Sequence, residues 1–259
     1  APPTAADVSW PGPWEHLWID VPDRVDGQPL RMHYLAAGPI DAPRVVLLHG
    51  FPDIAYGWRD VLPQLAEDHR VLAPDMRGYG GTDRPDDGYS VATLAADIAC
   101  FVRASSVADG LPADSRVDLI GHDWGAAVGW WVAMNHADLL RSWTAISVPH
   151  PRAWARFLEQ DAAQKKRASY QDALARPGVA AALAGLSEGR LAALYRGELV
   201  QPKVFTDQHL AVYRANYRHA SDWRPPLRYY QQLKRDADVA RRLLADVPPI
   251  AVPVLILWG

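Results

Sequence analysis

Short apolar runs alternate with amphipathic stretches between residues 30 and 150. The uninterrupted apolar run at residues 45–48 (VVLL) predicts a strand that is covered on both faces. The same pattern predicts further strands at 71–75, 117–120 and 143–148, helices at 58–66, 90–102 and 125–136, and antiparallel edge strands at 14–21 and 30–35. Because strands and helices alternate with short links, the sequence predicts an α/β fold with a mostly parallel sheet and helices on both faces.

This alternation stops after residue 149 and returns near residue 248. Between these points the chain carries several helix signals and no convincing strand. We therefore expect three parts: a first part of the core at 1–149, an all-helical cap at 150–247, and a return to the core at 248–259. Within them, Pro225 and Pro226 are predicted to open the last helical run of the cap, and residues 254–259 (VLILWG) are predicted to be a buried strand.

Composition and charge exclude several classes of protein. The chain has 259 residues, of which 49% are hydrophobic and 22% charged, so intrinsic disorder is excluded. A net charge of −3 gives no attraction for nucleic acid or anionic lipid, and the longest uncharged apolar stretch, 124–137, is shorter than the ~20 residues of a membrane span. Cys100 is the one cysteine, which excludes an internal disulfide. The chain begins at Ala1, as if trimmed, with no signal peptide, so we expect a cytoplasmic protein without nucleic-acid or membrane partners.

The most informative motif lies at residues 119–125 (LIGHDWG), where a predicted strand ends and a helix begins at once. In the nucleophile elbow, G-x-Nu-x-G, a sharp turn pushes the central side chain into the site. Here Asp123 holds the central position between Gly121 and Gly125. Taken alone, this motif also fits a turn in which Asp123 only caps the helix.

Two further loops follow predicted strands in the order that an active site of this geometry requires. His49, Gly50, Phe51, Pro52 and Asp53 follow the first buried strand, where an oxyanion-hole turn belongs. A second loop, residues 75–82 (DMRGYGGT), follows the next strand. Since the carboxyl ends of parallel strands meet at one edge of a sheet, we expect the three loops to converge on a single crevice.

The order and spacing of these loops resemble the α/β-hydrolases of the epoxide hydrolase and haloalkane dehalogenase branch, over roughly residues 14–259. The resemblance implies the α/β-hydrolase fold with a helical cap, Asp123 as the nucleophile, and the backbone N–H groups of Phe51 and Trp124 as the oxyanion hole. A carboxylate suits this chemistry, because its attack on a saturated carbon gives an ester that water can cleave, whereas a serine would give an ether.

The resemblance also favours epoxides over halides. Residues 227–230 (LRYY) resemble the cap segment that carries one proton-donating tyrosine, with Tyr230 at the matching position, and Tyr170 resembles the other. In haloalkane dehalogenases the position of Phe51 is usually Asn or Glu. We therefore expect an epoxide hydrolase that takes a small apolar epoxide. The alternatives are a haloalkane dehalogenase with the same Asp123 and an inactive hydrolase fold that serves as a binding protein.

The other residues of these loops are expected to support the site. His49 is expected to shape the oxyanion turn rather than act as a base, Gly50 and a cis Phe51–Pro52 bond to allow its bend, and His122 to lie behind Asp123. Asp75 and Arg77, with Asp53, are expected to fasten loop to loop. The sequence contains neither H-E-x-x-H nor a G-x-G-x-x-G that opens a helix after the first strand, so no metal or cofactor is implied.

The family completes its triad with an acid that follows the strand corresponding to residues 254–258 and a histidine that follows the next strand. By the resemblance, both positions lie beyond Gly259. We therefore expect a C-terminal remainder of the same protein to be its partner, either as a separate chain after a nick or as the continuation of a clipped sequence. The third interpretation is that the protein is a natural homologue that does not hydrolyse its ester.

Overall fold

A computed structural model describes residues 10–22, 25, 27–196, 204–236 and 249–258. Its strands are β1 (Glu15–Pro22), β2 (Pro29–Ala37), β3 (Arg44–Leu48), β4 (Arg70–Pro74), β5 (Val117–His122), β6 (Leu140–Ile146) and β7 (Val254–Leu257). Its helices are α1 (Leu62–Leu65), α2 (Val91–Ala108), α3 (Trp124–Asn135), α4 (Pro151–Gln160), α5 (Ala162–Arg167), α6 (Tyr170–Leu174), α7 (Val179–Ala184), α8 (Glu188–Arg196), α9 (Asp207–Asn216) and α10 (Ala220–Arg235).

The strands form one sheet in the order β1-β2-β4-β3-β5-β6-β7. β2 runs antiparallel to both β1 and β4, and the pairs from β4 to β7 are parallel. All five residues of β3 and of β4 are buried, and after the arginine that begins each strand the residues are apolar, as a doubly covered sheet requires. The predicted α/β class, parallel sheet and antiparallel edge are confirmed.

Helix α2 is a core helix that begins at a side-chain cap. Ser90 accepts the backbone N–H of Thr93 at 3.2 Å, which fixes the first turn. Within the described residues α2 is also long and apolar enough, by length and composition, to cross a membrane. It packs against β1 and α3 and buries Leu94, Ile98 and Phe101, as a core helix does. The expected absence of membrane and nucleic-acid partners stays a prediction, as does a cytoplasmic location.

The helix expected at residues 58–66 is much shorter in the structure. A 3₁₀ turn at Ala55–Trp58 precedes α1, which spans only Leu62–Leu65. Pro63 explains the difference, because proline has no backbone N–H to donate within a continuous helix. Proline is tolerated in the first turn of a helix, and Pro63 lies at the start of α1.

The described elements between β6 and β7 are all helices, α4 to α10. The prediction that Pro225 and Pro226 open the last of them is wrong, since both lie inside α10. A reciprocal cap sets the start instead, because Asp222 accepts the backbone N–H of His219 at 2.8 Å. Both prolines are buried, and that burial offsets the helical hydrogen bonds that they lack. Residues 237–248, where the cap was predicted to end, lie outside the described residues.

The prediction of a buried strand at residues 254–259 is also wrong. β7 forms at Val254–Leu257 and pairs with β6, but it is the edge strand of the described sheet. Its four side chains are 40–54% exposed, and Trp258 is 64% exposed. The apolar run thus indicates a strand correctly, whereas its burial depends on what packs against it.

A buried ion pair fastens the loop after β4 to α2. Arg77 contacts Asp97 with nitrogen–oxygen distances of 2.7 and 2.9 Å, and both side chains are almost fully buried. The carbonyl oxygen of Arg77 also accepts the hydroxyl of Tyr229 on α10 at 2.8 Å. The predicted role of Arg77 as a loop fastener agrees with these contacts, which tie the core to the cap.

Replacing Arg77 with Met leaves the Asp97 carboxylate buried without its main partner. We expect Arg77→Met to lower the free energy of unfolding by about 3–5 kcal/mol, because the buried Asp97 charge loses its ion pair with the guanidinium. Arg103→Met breaks the exposed pair with Asp138 and should cost less than about 1 kcal/mol. Urea unfolding of the two variants tests the difference, and equal losses would contradict it.

Candidate active site

Asp123 lies at a strained bend between β5 and α3. Its backbone has φ 52° and ψ −121°, a conformation that costs a residue other than glycine about 1–3 kcal/mol. The bend requires the strand and the helix to lie very close together, and glycines at positions 121 and 125 make this approach possible. A Cβ atom added to Gly125 would lie 2.3 Å from the carbonyl oxygen of Leu48, and one added to Gly121 would lie 2.5 Å from that of Gly125. The structure therefore forms the elbow that the glycine spacing predicts.

The two backbone N–H groups expected at the oxyanion hole both lie near the Asp123 carboxylate. Phe51 donates its N–H to Oδ1 at 2.8 Å, and the backbone N–H of Trp124 lies close enough to lower the pKa of the carboxyl group. The turn can approach Asp123 this closely because Gly50 has no side chain: a Cβ atom there would lie 2.3 Å from the Cβ of Asp123. The Phe51–Pro52 peptide bond in this turn is cis. Turns from two neighbouring strands, β3 and β5, thus hold one carboxylate.

Burial raises the pKa of Asp123 above its ordinary value. The hydrogen bond from Phe51 and the nearby N–H of Trp124 favour the ionised form and oppose that shift, but they do not cancel it. The carboxylate is therefore held in a poorly solvated position. Poor solvation of this kind is common where a side chain performs chemistry.

Both cap tyrosines lie beside this carboxylate. The ring of Tyr230, on α10, packs edge-on against Phe51 at 5.2 Å and Trp124 at 5.3 Å. Tyr170, at the start of α6, has its ring centroid 6.4 Å from that of Tyr230. Burial first, and then the charge on Asp123, raise the pKa of both hydroxyls, so both carry a proton near neutral pH. Tyr230 is buried, whereas Tyr170 is 48% exposed.

His49 holds the oxyanion turn by both of its ring nitrogens. Nε2 accepts the backbone N–H of Met76 at 3.0 Å, which leaves the proton on Nδ1. Nδ1 in turn lies 3.0 Å from the carbonyl oxygen of Gly50 and donates to it. Because both nitrogens are engaged and the ring is buried, His49 shapes the turn and is not free to act as a base.

Comparison with known proteins agrees with this geometry. The family model of the alpha/beta hydrolase fold matches residues 43–259. Epoxide hydrolase 2 of Caenorhabditis elegans is 31% identical over 252 residues, covering 95% of this chain and 66% of the relative. AB hydrolase superfamily protein YfhM of Bacillus subtilis is 31% identical over 236 residues, covering 89% and 77%. The crystal structure of epoxide hydrolase A from Mycobacterium thermoresistibile matches with a TM-score of 0.72 at 25% identity, covering 95% and 82%.

The chain belongs to the α/β-hydrolase fold family. The resemblance to the epoxide hydrolase branch is likewise confirmed by the names of these relatives. The aligned part of this α/β-hydrolase spans 66% of the length of the C. elegans relative and 77% of that of the B. subtilis relative.

The remaining predicted residues of the hydrolase lie around the site rather than in it. His122 is exposed and acts on Asp123 only through its charge. Asp75 is fully buried and accepts the N–H groups of Ala55 and Gly81 at 2.8 and 2.9 Å, while one oxygen lies 2.7 Å from His33. Burial alone would raise the pKa of Asp75, but these bonds and the charge of His33 outweigh it, so the pKa is lowered. Asp75 therefore fastens loops, as expected.

Sequence reasoning missed three tyrosines of the cap that reach the oxyanion turn. Tyr195, Tyr213 and Tyr217 direct their hydroxyls at Pro52 and Asp53. Tyr213 and Tyr217 follow Thr206 and are four residues apart, so they lie on the same face of a helix. This spacing is the one local signal that could have placed the two tyrosines together. Among the residues that the structure describes, no three His, Cys, Asp or Glu side chains are grouped to hold a metal ion.

We expect Asp123→Asn to stabilise the folded protein at neutral pH. Because the folded pKa of Asp123 is raised, its charged form destabilises the fold, and this penalty grows as the pH rises through the folded pKa. The gain in the free energy of unfolding should therefore be present at pH 7 and shrink as the pH falls to about 4, near the ordinary carboxyl pKa. Urea unfolding at both pH values measures it.

The matched control is Asp114→Asn, which removes an exposed carboxylate. We expect no such pH-dependent gain from this change. A loss of stability in Asp123→Asn at pH 7, or a gain that is equal at both pH values, would contradict the account.

Proposed function

We propose that the protein is an epoxide hydrolase in which Asp123 forms a covalent ester. One carboxylate oxygen of Asp123 bonds to a ring carbon of the epoxide as the carbon–oxygen bond of the ring breaks. The ring oxygen then takes a proton from Tyr230 or Tyr170. Water cleaves the ester, which releases a vicinal diol and restores the carboxylate, and the proton freed in this step returns to the tyrosine that donated one. The observation that carries the proposal is a buried carboxylate that accepts the Phe51 N–H, lies near the Trp124 N–H, and is close enough to two protonated tyrosines to raise their pKa.

The tyrosines support an epoxide rather than a halide as the leaving group. A halide leaves as a stable anion and needs no proton, whereas an opened epoxide leaves as an alkoxide that is far more basic than a phenolate. Tyrosine has an ordinary pKa near 10, and the raised pKa of Tyr230 and Tyr170 keeps their protons in place until the alkoxide develops. The aromatic surroundings of Asp123 suit a small apolar substrate.

The second step also needs a base to activate water. Among the described residues, His49 has both nitrogens engaged, and His122 is an exposed residue beside the elbow. We propose that the acid and the histidine come from a further segment of the same protein that packs beside β7. The exposed apolar side chains of that strand support this placement.

A covalent adduct tests the proposal. The protein is incubated with styrene oxide, quenched in acid and digested, and the products are assayed for styrene glycol. We expect either a peptide that contains Asp123 and is heavier by the mass of the epoxide, or the diol where turnover is complete. Asp123→Ala should abolish both, because it removes the only group that we place as nucleophile, while Asp114→Ala should retain them.

Other outcomes point to the alternatives. Halide release from a primary bromoalkane with neither adduct nor diol from the epoxide would show a haloalkane dehalogenase. If neither substrate reacts, the proposed hydrolase activity is wrong, and a non-catalytic binding protein becomes the better account.

Removing the hydroxyl of Tyr230 tests its role as proton donor. We expect Tyr230→Phe to slow ester formation by roughly 10²-fold, at the lower end of general-acid effects because Tyr170 retains its own proton. Tyr170→Phe should have a smaller effect, and the double variant should be slower than either. The matched control is Tyr229→Phe, which removes a buried hydroxyl bonded to Arg77 and should leave the rate nearly unchanged. Ester formation at the unaltered rate in Tyr230→Phe would exclude the role.

A further inference from the structure

The oxyanion turn, residues 49–53, is held by the core on one side only. His49 donates to the carbonyl oxygen of Gly50, which also accepts the backbone N–H of Asp53 at 2.9 Å. These bonds close the bend at its base. Further out in the turn, the carbonyl oxygen of Pro52 and the side chain of Asp53 also contact other groups.

The cap supplies those groups. The hydroxyl of Tyr213, on α9, donates to Asp53 Oδ1 at 2.6 Å, and that of Tyr195, on α8, donates to the carbonyl oxygen of Pro52 at 3.0 Å. Tyr217, directly after α9, has its hydroxyl 3.5 Å from the carbonyl oxygen of Asp53. Hydroxyls from two cap helices thus converge on two consecutive residues of the turn.

Asp53 is well placed to transmit this restraint. Its Oδ1 also accepts the backbone N–H of Ile54 at 2.8 Å, so one oxygen joins the cap to the main chain of the core. The Tyr213 side chain is 1% exposed, and its ring packs on that of Tyr195 at 4.3 Å. A short hydrogen bond from a buried hydroxyl to a carboxylate is among the stronger kinds.

The N–H group that touches Asp123 lies two residues before Asp53 in the same short turn. A shift of the outer turn therefore moves Phe51 relative to the carboxylate. We propose that Asp53 and Tyr213 are positioning residues, through which the docked cap holds the Phe51 N–H on Asp123. The inference rests on the proposed function, because it assigns these residues to the reactivity of the same carboxylate.

Two measurements on Tyr213→Phe test this coupling. The first is hydrogen exchange of the Phe51 amide by NMR, in which we expect protection to fall about 5- to 10-fold as the turn loosens. The second is the rate of ester formation with styrene oxide. We expect the maximum rate to fall about 10-fold at an unchanged half-saturating concentration, less than the roughly 10²-fold cost of a full 1 Å misplacement.

The matched control is Tyr89→Phe. Tyr89 is buried and donates its hydroxyl to the carbonyl oxygen of Pro85 at 2.7 Å, so the variant loses one comparable bond away from the turn. A residue that only stabilises the fold should behave alike in the two variants. If Tyr213→Phe unfolds, Asp53→Ala and Asp53→Asn replace it. Asn retains an acceptor oxygen for Tyr213 and Ile54, so it should restore most of the loss seen with Ala.

The outcomes separate the inference from the proposed function. If the unaltered protein forms the ester and Tyr213→Phe matches Tyr89→Phe in both measurements, the coupling is wrong and the proposed function stands. If the unaltered protein forms neither the ester nor the diol with the epoxide, both are overturned. Loss of Phe51 protection together with a slower maximum rate, absent in Tyr89→Phe, supports the coupling.

Discussion

The site depends on one interaction, in which the backbone N–H of Phe51 holds the carboxylate of Asp123 close to the N–H of Trp124. Its geometry follows from the order of the strands. β3 and β5 are parallel neighbours, so the turns after them lie side by side at the same edge of the sheet. Glycines at positions 50 and 125 remove the Cβ atoms that would otherwise push the two turns apart. The strained backbone of Asp123 is tolerated because the packing around it leaves no alternative.

Electrostatics give this interaction its chemical character. Burial works against the charge on Asp123, and the two N–H groups only partly compensate, which leaves a carboxylate that gains little from solvent. The same charge, together with burial, keeps the protons on Tyr230 and Tyr170. In the proposed reaction, the ionised carboxylate of Asp123 acts as the nucleophile, and the protonated hydroxyls of Tyr230 and Tyr170 act as the proton donors. That division of protonation states is what the opening of a strained ether requires.

Local sequence patterns predict most of the features that position Asp123. The glycine spacing around Asp123 predicts the bend because the spacing reflects a close contact between adjacent elements, and Ser90 predicts the start of α2 by the same local logic. Features that depend on distant contacts were predicted poorly. Burial of β7 depends on neighbouring chain, and Pro225 sits inside α10 because a cap at His219 and burial against the core outweigh its local preference. The hydrogen bond from Tyr213 to Asp53 spans 160 positions, and no local pattern encodes it.

In the proposed reaction, Asp123 bonds to the substrate while its carboxyl group stays on the N–H of Phe51, near that of Trp124. A crystal structure of the protein trapped with an epoxide tests this most directly. The account predicts continuous electron density from one oxygen of Asp123 to a carbon of the opened epoxide, with the other oxygen still bonded to the N–H groups of Phe51 and Trp124. An intact epoxide beside an unmodified Asp123, or a covalent bond to any other side chain, would contradict it.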